Sequence, residues 1–222
     1  MSEKEIPALK NFYDSHLYHF LSTVTVLMKL NILTVLCSLP VLTAGASVTA
    51  LYAVLESLTE NRGGSVSREF FTSWKKYFQK ATLFWLTLLA VVILVVGNLF
   101  IVYQGAVAGN AFFFLCAANL VLMVTVLTAS MLFPFLPVFK AGFLKTIQIS
   151  LVYALRYLPK TILMTALNVF PFVLAYYHTE MFVRFFPFWL LLGFSAIAYC
   201  NAVLVHPVIL SIQEELEKQS EN

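Results

Sequence analysis

Long apolar runs, broken by short polar, basic or proline-containing stretches, dominate this chain. A membrane-spanning helix needs about 20 mostly apolar residues. Four runs meet or approach that length: Leu83 to Tyr103, Ala111 to Phe133, Thr161 to Tyr177 and Phe185 to Val205. A fifth, Phe20 to Leu39, is long enough but carries Lys29 and Asn31. A sixth, Val41 to Leu55, is short and rich in small residues, and Pro40 divides it from the fifth. Proline lacks an N–H and disfavours helix at the preceding residue, so Leu39-Pro40 reads as a sharp turn. The pattern predicts an all-α, polytopic transmembrane helix bundle. It forms a single integral membrane domain over residues 1–222 with six hydrophobic helices, or five if Val41 to Leu55 does not cross.

Two other segments are amphipathic at helical spacing. In the first, Val66, Phe70, Trp74, Tyr77 and Phe78 recur at steps of about three and four, with Arg68, Glu69, Lys75, Lys76 and Lys80 on other faces. In the second, Phe139, Phe143, Ile147, Leu151, Ala154 and Leu158 repeat near every fourth position beside Lys140, Lys145 and Arg156. Basic amphipathic helices with aromatics commonly lie in the membrane interface, so interfacial helices are expected in addition to the spans. The plainer reading is a solvated linker packed on the bundle. The sharper one is a surface for an acidic partner or lipid, carried by Trp74, Lys75, Lys76, Lys80, Arg156 and Lys160. Two short matches suggest an internal repeat. Lys76-Tyr77-Phe78-Gln79-Lys80 parallels Arg156-Tyr157-Leu158-Pro159-Lys160, and Leu39-Pro40-Val41 parallels Leu136-Pro137-Val138.

Composition agrees with the pattern. The chain is 60% hydrophobic and 11% charged, with a mean hydropathy of +0.85. Soluble domains are about 25% charged, so too little polar surface is present to coat a soluble enzyme. The net charge of +3 suits anionic lipid head groups but is far too small for nucleic-acid binding. Its placement orients the chain, because cytoplasmic loops carry the excess Lys and Arg. With six spans and both termini inside, twelve of the fourteen Lys and Arg fall on the inner side, Arg184 outside and Lys29 within the membrane. With five spans and the N-terminus outside, ten fall inside and three outside. Six spans with cytoplasmic termini separate the charges better.

Candidate chemistry is sparse. No Asp or Glu lies inside a confident span, which argues against a carboxylate-driven transporter and against paired-carboxylate catalysis. Lys29 is a cation at membrane depth. In a hairpin turning near Val41, Lys29 and Glu56 share a depth, so Lys29 is expected to pair with Glu56 or to snorkel. Asn31, Asn98, Asn119, Asn168 and Asn201 put one amide in each of the five longer runs. They read as interhelical glue or, more sharply, as a shared polar pocket for a neutral, hydroxyl-rich ligand. Cys37, Cys116 and Cys200 stand in separate runs with no CxxC, so free thiols are expected. His16, His19, His178 and His206 form no metal-ligand pattern, and neither a nucleophile elbow nor a phosphate-binding loop occurs. The expectation is a non-enzymatic protein with no cofactor and no metal.

The stretch Asn31-Ile-Leu-Thr-Val-Leu-Cys-Ser-Leu-Pro40-Val-Leu-Thr43-Ala-Gly45-Ala-Ser-Val-Thr-Ala-Leu-Tyr52 resembles the signature of the YesL-like family of small bacterial integral membrane proteins. The aromatic, basic stretch Glu69 to Ala81, Phe133-Pro134, Phe139 and Leu158-Pro159-Lys160-Thr161 resemble the rest of that pattern. One departure is Val138, where relatives tend to carry Arg. The molecular function of the family is unknown. Its genes often neighbour those for carbohydrate ABC transporters. The resemblance therefore implies a bacterial plasma-membrane location and an accessory role beside sugar-importer subunits, with lipids as the other partners. A small permease or channel for a neutral solute is the alternative. Within the motif, Asn31, Pro40, Thr43, Gly45 and Tyr52 are the candidate residues, and Gly45 is expected to supply a backbone conformation that other residues resist.

Overall fold

The computed structural model describes residues 16–59, 64–104, 111–139 and 142–220. Lys4, Lys10, Arg62 and Lys140, used above to orient the chain, lie outside them. Helix α1 (His16–Ser38) ends at Pro40, and a single 3-10 turn (Val41–Thr43) leads into α2 (Ala44–Thr59). Then follow α3 (Val66–Tyr103), α4 (Ala111–Val138), α5 (Phe143–Arg156) and α6 (Leu158–Tyr177). The last helical stretch is α7 (Thr179–Phe188), a π-helical turn (Trp189–Gly193) and α8 (Phe194–Ser220). Among the described residues there is no strand, and six helices are long and apolar enough to cross a membrane.

The short sixth run becomes the central helix. In α2 the small residues Gly45, Ala46, Ser47, Thr49 and Ala50 are all buried, together with Leu51, Val54 and Leu55. Small side chains let neighbouring backbones approach closely in a membrane, where apolar surface alone gives helices no reason to associate. α2 is therefore sheathed by protein while the longer, bulkier helices face lipid. Phe70 of α3, Leu132 of α4 and Ala198 and Ala202 of α8 close the core around it. A second core joins Met131 and Phe135 of α4, Met164 of α6 and Val205, Val208 and Ile209 of α8.

The structure differs from the sequence pattern at two points. The first amphipathic segment is not a separate interfacial helix: it is the first half of α3, continuous with the apolar run that follows. Nothing between Val66 and Tyr103 breaks a helix, since that stretch holds no proline and a single glycine, Gly97. The second amphipathic segment does form its own helix, α5, ended by the turn before Pro159. The repeat is not reproduced. Leu39-Pro40 ends a helix, whereas Pro137 lies within α4, and Tyr77 Oη donates to the Pro137 carbonyl at 3.1 Å.

The α1–α2 hairpin is also staggered against α3. Trp85 Nε1 donates to the Val41 carbonyl at 2.7 Å, which fixes the hairpin tip beside Trp85. α3 continues for eighteen residues past that point, about 27 Å at 1.5 Å per residue. The upper half of α3 packs on the start of α4, where Asn98 Nδ2 donates to the Phe114 carbonyl at 3.3 Å. The hairpin tip thus stops well short of the far end of the α3–α4 pair.

Candidate functional site

The motif residues of the α1–α2 hairpin are held by packing and hydrogen bonds. Asn31 is completely buried and reaches across to the last helix. Its Nδ2 donates to the carbonyls of Trp189 (3.1 Å) and Leu190 (2.7 Å), and its Oδ1 accepts the Ser195 N–H at 2.8 Å. Trp189 and Leu190 open the π turn and Ser195 follows it, where the hydrogen-bond step changes from four residues to five. One side-chain amide, with donor and acceptor on adjacent atoms, serves all three.

At the tip, Thr43 Oγ1 lies 2.6 Å from the Cys37 carbonyl and 2.8 Å from that of Pro40. One hydroxyl thereby ties the frayed end of α1 to the turn. Ser47 Oγ donates to the Thr43 carbonyl at 3.1 Å and accepts Trp74 Nε1 at 3.3 Å. Gly45 serves a different purpose from the one expected of it. It sits inside α2, and a Cβ there would fall 2.5 Å from Trp85 Cβ and 2.6 Å from the Ala81 carbonyl oxygen. The requirement is close approach of two helices, with no unusual backbone angle.

The intramembrane amides separate into two groups. Asn201 Nδ2 donates to Asn168 Oδ1 at 2.9 Å and to Tyr52 Oη at 3.2 Å, joining α8, α6 and α2 in one buried cluster. Asn119 is exposed and donates to Leu115 of its own helix at 2.8 Å, and Asn98 serves the α3–α4 contact. The five amides therefore do not line one continuous path.

Lys29 and Glu56 do not meet. Lys29 lies exposed on the outer face of α1, and the Glu56 carboxylate lies 3.3 Å from His206 Nδ1. Counting along the helices says nothing of the direction each side chain faces. Leu27, Leu30, Asn31 and Thr34 form the buried face of α1, and Lys29 stands on the opposite side. A double-mutant cycle checks this. Glu56→Leu and His206→Leu should couple by about 0.5–3 kcal/mol in detergent unfolding, whereas Lys29→Leu and Glu56→Leu should add within about 0.5 kcal/mol. Coupling of Lys29 with Glu56 and none with His206 would refute the geometry.

The basic residues gather toward one end of the bundle. Lys75 and Lys76 are exposed on the first half of α3, beside Trp74 and Phe78, whose rings lie 4.9 Å apart. Together with Gln79 and Lys80 they line a shallow basic groove. Lys76 Nζ lies 4.9 Å over the Tyr77 ring, and Lys160 Nζ 5.6 Å over that of Tyr157. Arg156 pairs with Glu215 of α8 at 3.0 Å, and Tyr153 Oη donates to the same carboxylate at 2.9 Å. Burial, then the Glu215 hydrogen bond and charge, push the Tyr153 hydroxyl above its ordinary pKa. Sequence reading found the basic residues but missed Glu215 as the α8 partner of Arg156 and His206 as the α8 partner of Glu56. The signal available was the acidic run Glu214, Glu215 and Glu217 late in the last helix.

Among the described residues no group of three or more His, Cys, Asp or Glu could hold a metal ion, and Cys37, Cys116 and Cys200 are free. The fold and these contacts define a multi-pass α-helical membrane protein built round a proline-turned hairpin. Residues 27–99, which contain that hairpin and most of α3, match the family model described as Protein of unknown function, DUF624. No curated protein and no solved structure matches the chain.

Proposed function

We propose that this chain is a non-catalytic, multi-pass subunit of a bacterial plasma membrane, YesL-like in kind, that acts as an accessory or assembly component beside a carbohydrate importer of the ABC type. One observation carries the reading: Asn31, Thr43 and Gly45 are all committed to joining helices. A motif whose hydrogen bonds and close approaches are used up inside the scaffold maintains a shape that partners read. The reading places the basic, aromatic groove of Trp74, Lys75, Lys76 and Lys80 on the cytoplasmic side, with both termini, where it meets acidic partner surface or anionic head groups. The outward position of Asn119 weighs against the rival reading, a permease lined by the amides.

Purification in mild detergent tests the proposal. Importer subunits should be recovered in stoichiometric amount, and Lys75→Glu with Lys76→Glu should lower that recovery several-fold while the protein stays folded. Solute flux through liposomes containing this protein alone would overturn it.

A further inference from the structure

A cavity of ≈ 660 Å³ lies along the flank of the α1–α2 hairpin, between α1, α2, α3, α4, α6 and α8. Ordinary small-molecule pockets occupy about 300–1,000 Å³. Its wall is almost wholly apolar, supplied by side chains such as Trp85, Phe133, Phe172 and Phe194, and no charged residue lines it. Thr34, Ser38, Tyr52, Ser130 and Asn168 interrupt that surface, and three of them have hydrogen-bonding capacity to spare. Tyr52 accepts the Asn201 amide, and its own O–H has no acceptor among the described residues. Asn168 accepts from Asn201 in the same way, leaving its N–H₂ without an acceptor among them. Thr34, 5% exposed, has a buried Oγ1 with no partner among the described residues. Polar groups buried in hydrocarbon without partners are costly, so a polar cluster of this kind at a cavity wall marks where a ligand's polar end belongs.

We infer that this cavity binds one neutral, chain-bearing amphiphile, with an ester or hydroxyl oxygen accepting from Tyr52 and Asn168 and its chain along the aromatic wall. Three exclusions narrow the class. A charged head group would be stranded against a wall with no counter-charge. A free sugar would bring many hydroxyls to a wall that offers few partners. A plain hydrocarbon would leave the Tyr52 and Asn168 donors unsatisfied. The binding site is independent of the accessory role, since an assembly subunit and a transporter could each hold such a molecule.

Delipidated full-length protein in detergent, carrying Trp74→Phe and Trp189→Phe, leaves Trp85 as the sole tryptophan and reporter. The probe is a monoacylglycerol with a dibromostearoyl chain, whose bromines quench a neighbouring indole. Quenching should saturate at about one probe per protein. Asn168→Leu should weaken it about tenfold, equivalent to about 1.4 kcal/mol, and Val126→Phe, which fills the cavity, should abolish saturation. Tyr52→Phe gives a second route if Asn168→Leu does not fold, because it removes only the hydroxyl. Dibromostearate, which is anionic, should quench only in proportion to its partitioning into the micelle. Linear, non-saturating quenching by the neutral probe in every variant would overturn the inference, as would equal saturable binding of the anion.

Discussion

Replacing Asn31 with leucine should be among the most damaging single changes in the membrane interior. The two side chains are similar in size, so the loss is of hydrogen bonds and not of packing. Three main-chain groups around the π turn, the carbonyls of Trp189 and Leu190 and the Ser195 N–H, lose their partner together. Interhelical hydrogen bonds in membranes average about 0.6 kcal/mol, because the unfolded chain finds other partners in the bilayer. A buried group left wholly unsatisfied costs about 1–3 kcal/mol. Two bonds at the membrane average and one group left unsatisfied give an expected loss of about 2–4 kcal/mol. Asn31→Asp should be no better, since a carboxylate can accept from Ser195 but offers nothing to the two carbonyls. Unfolding in detergent reads the loss, and faster amide exchange at residues 189–195 places it. Unchanged stability of Asn31→Leu would remove Asn31 from its role at the π turn.

The second large effect belongs to Gly45. A methyl group there meets Trp85 Cβ and the Ala81 carbonyl oxygen, atoms that no side-chain truncation removes. Gly45→Ala should therefore force α2 and α3 apart and cost about 1–3 kcal/mol, and Gly45→Val more. Trp85→Ala should not rescue it, because alanine keeps the offending Cβ. Gly193 supplies the contrast: a Cβ there would run only into the Trp189 ring, so Trp189→Ala should rescue Gly193→Ala. Yield and thermal unfolding of the four single variants and two pairs check both statements. Rescue of Gly45→Ala by Trp85→Ala would show that the ring, and not the helix spacing, sets the limit.

The architecture was legible wherever one long-range physical rule decided it. Hydrocarbon thickness fixes the length of a span, and a spanning helix leaves few residues free to carry charge, so the helices stood out from the apolar runs. The boundary within α3 was misplaced because composition changes at Lys80 while nothing there interrupts the hydrogen-bond ladder. The motif stood out as residues, but its chemistry did not. The partners of Asn31 are main-chain groups in and beside a π turn, and no residue type announces such groups. Glu56 was expected to meet Lys29, yet its partner came from the last helix, because depth along a helix says nothing of the direction a side chain faces. Gly45 shows the same limit: a glycine required by a neighbouring backbone looks, in sequence, like one required by its own.

The Asn31 contact also has a consequence for biogenesis. Its partner Ser195 lies 164 positions further along the chain. At about 5–20 residues per second, synthesis takes roughly ten to thirty seconds to cover that distance. Throughout that interval the Asn31 amide depends on partners other than its native ones. The native contact therefore ties the hairpin to completion of the final helix, however early the hairpin itself forms.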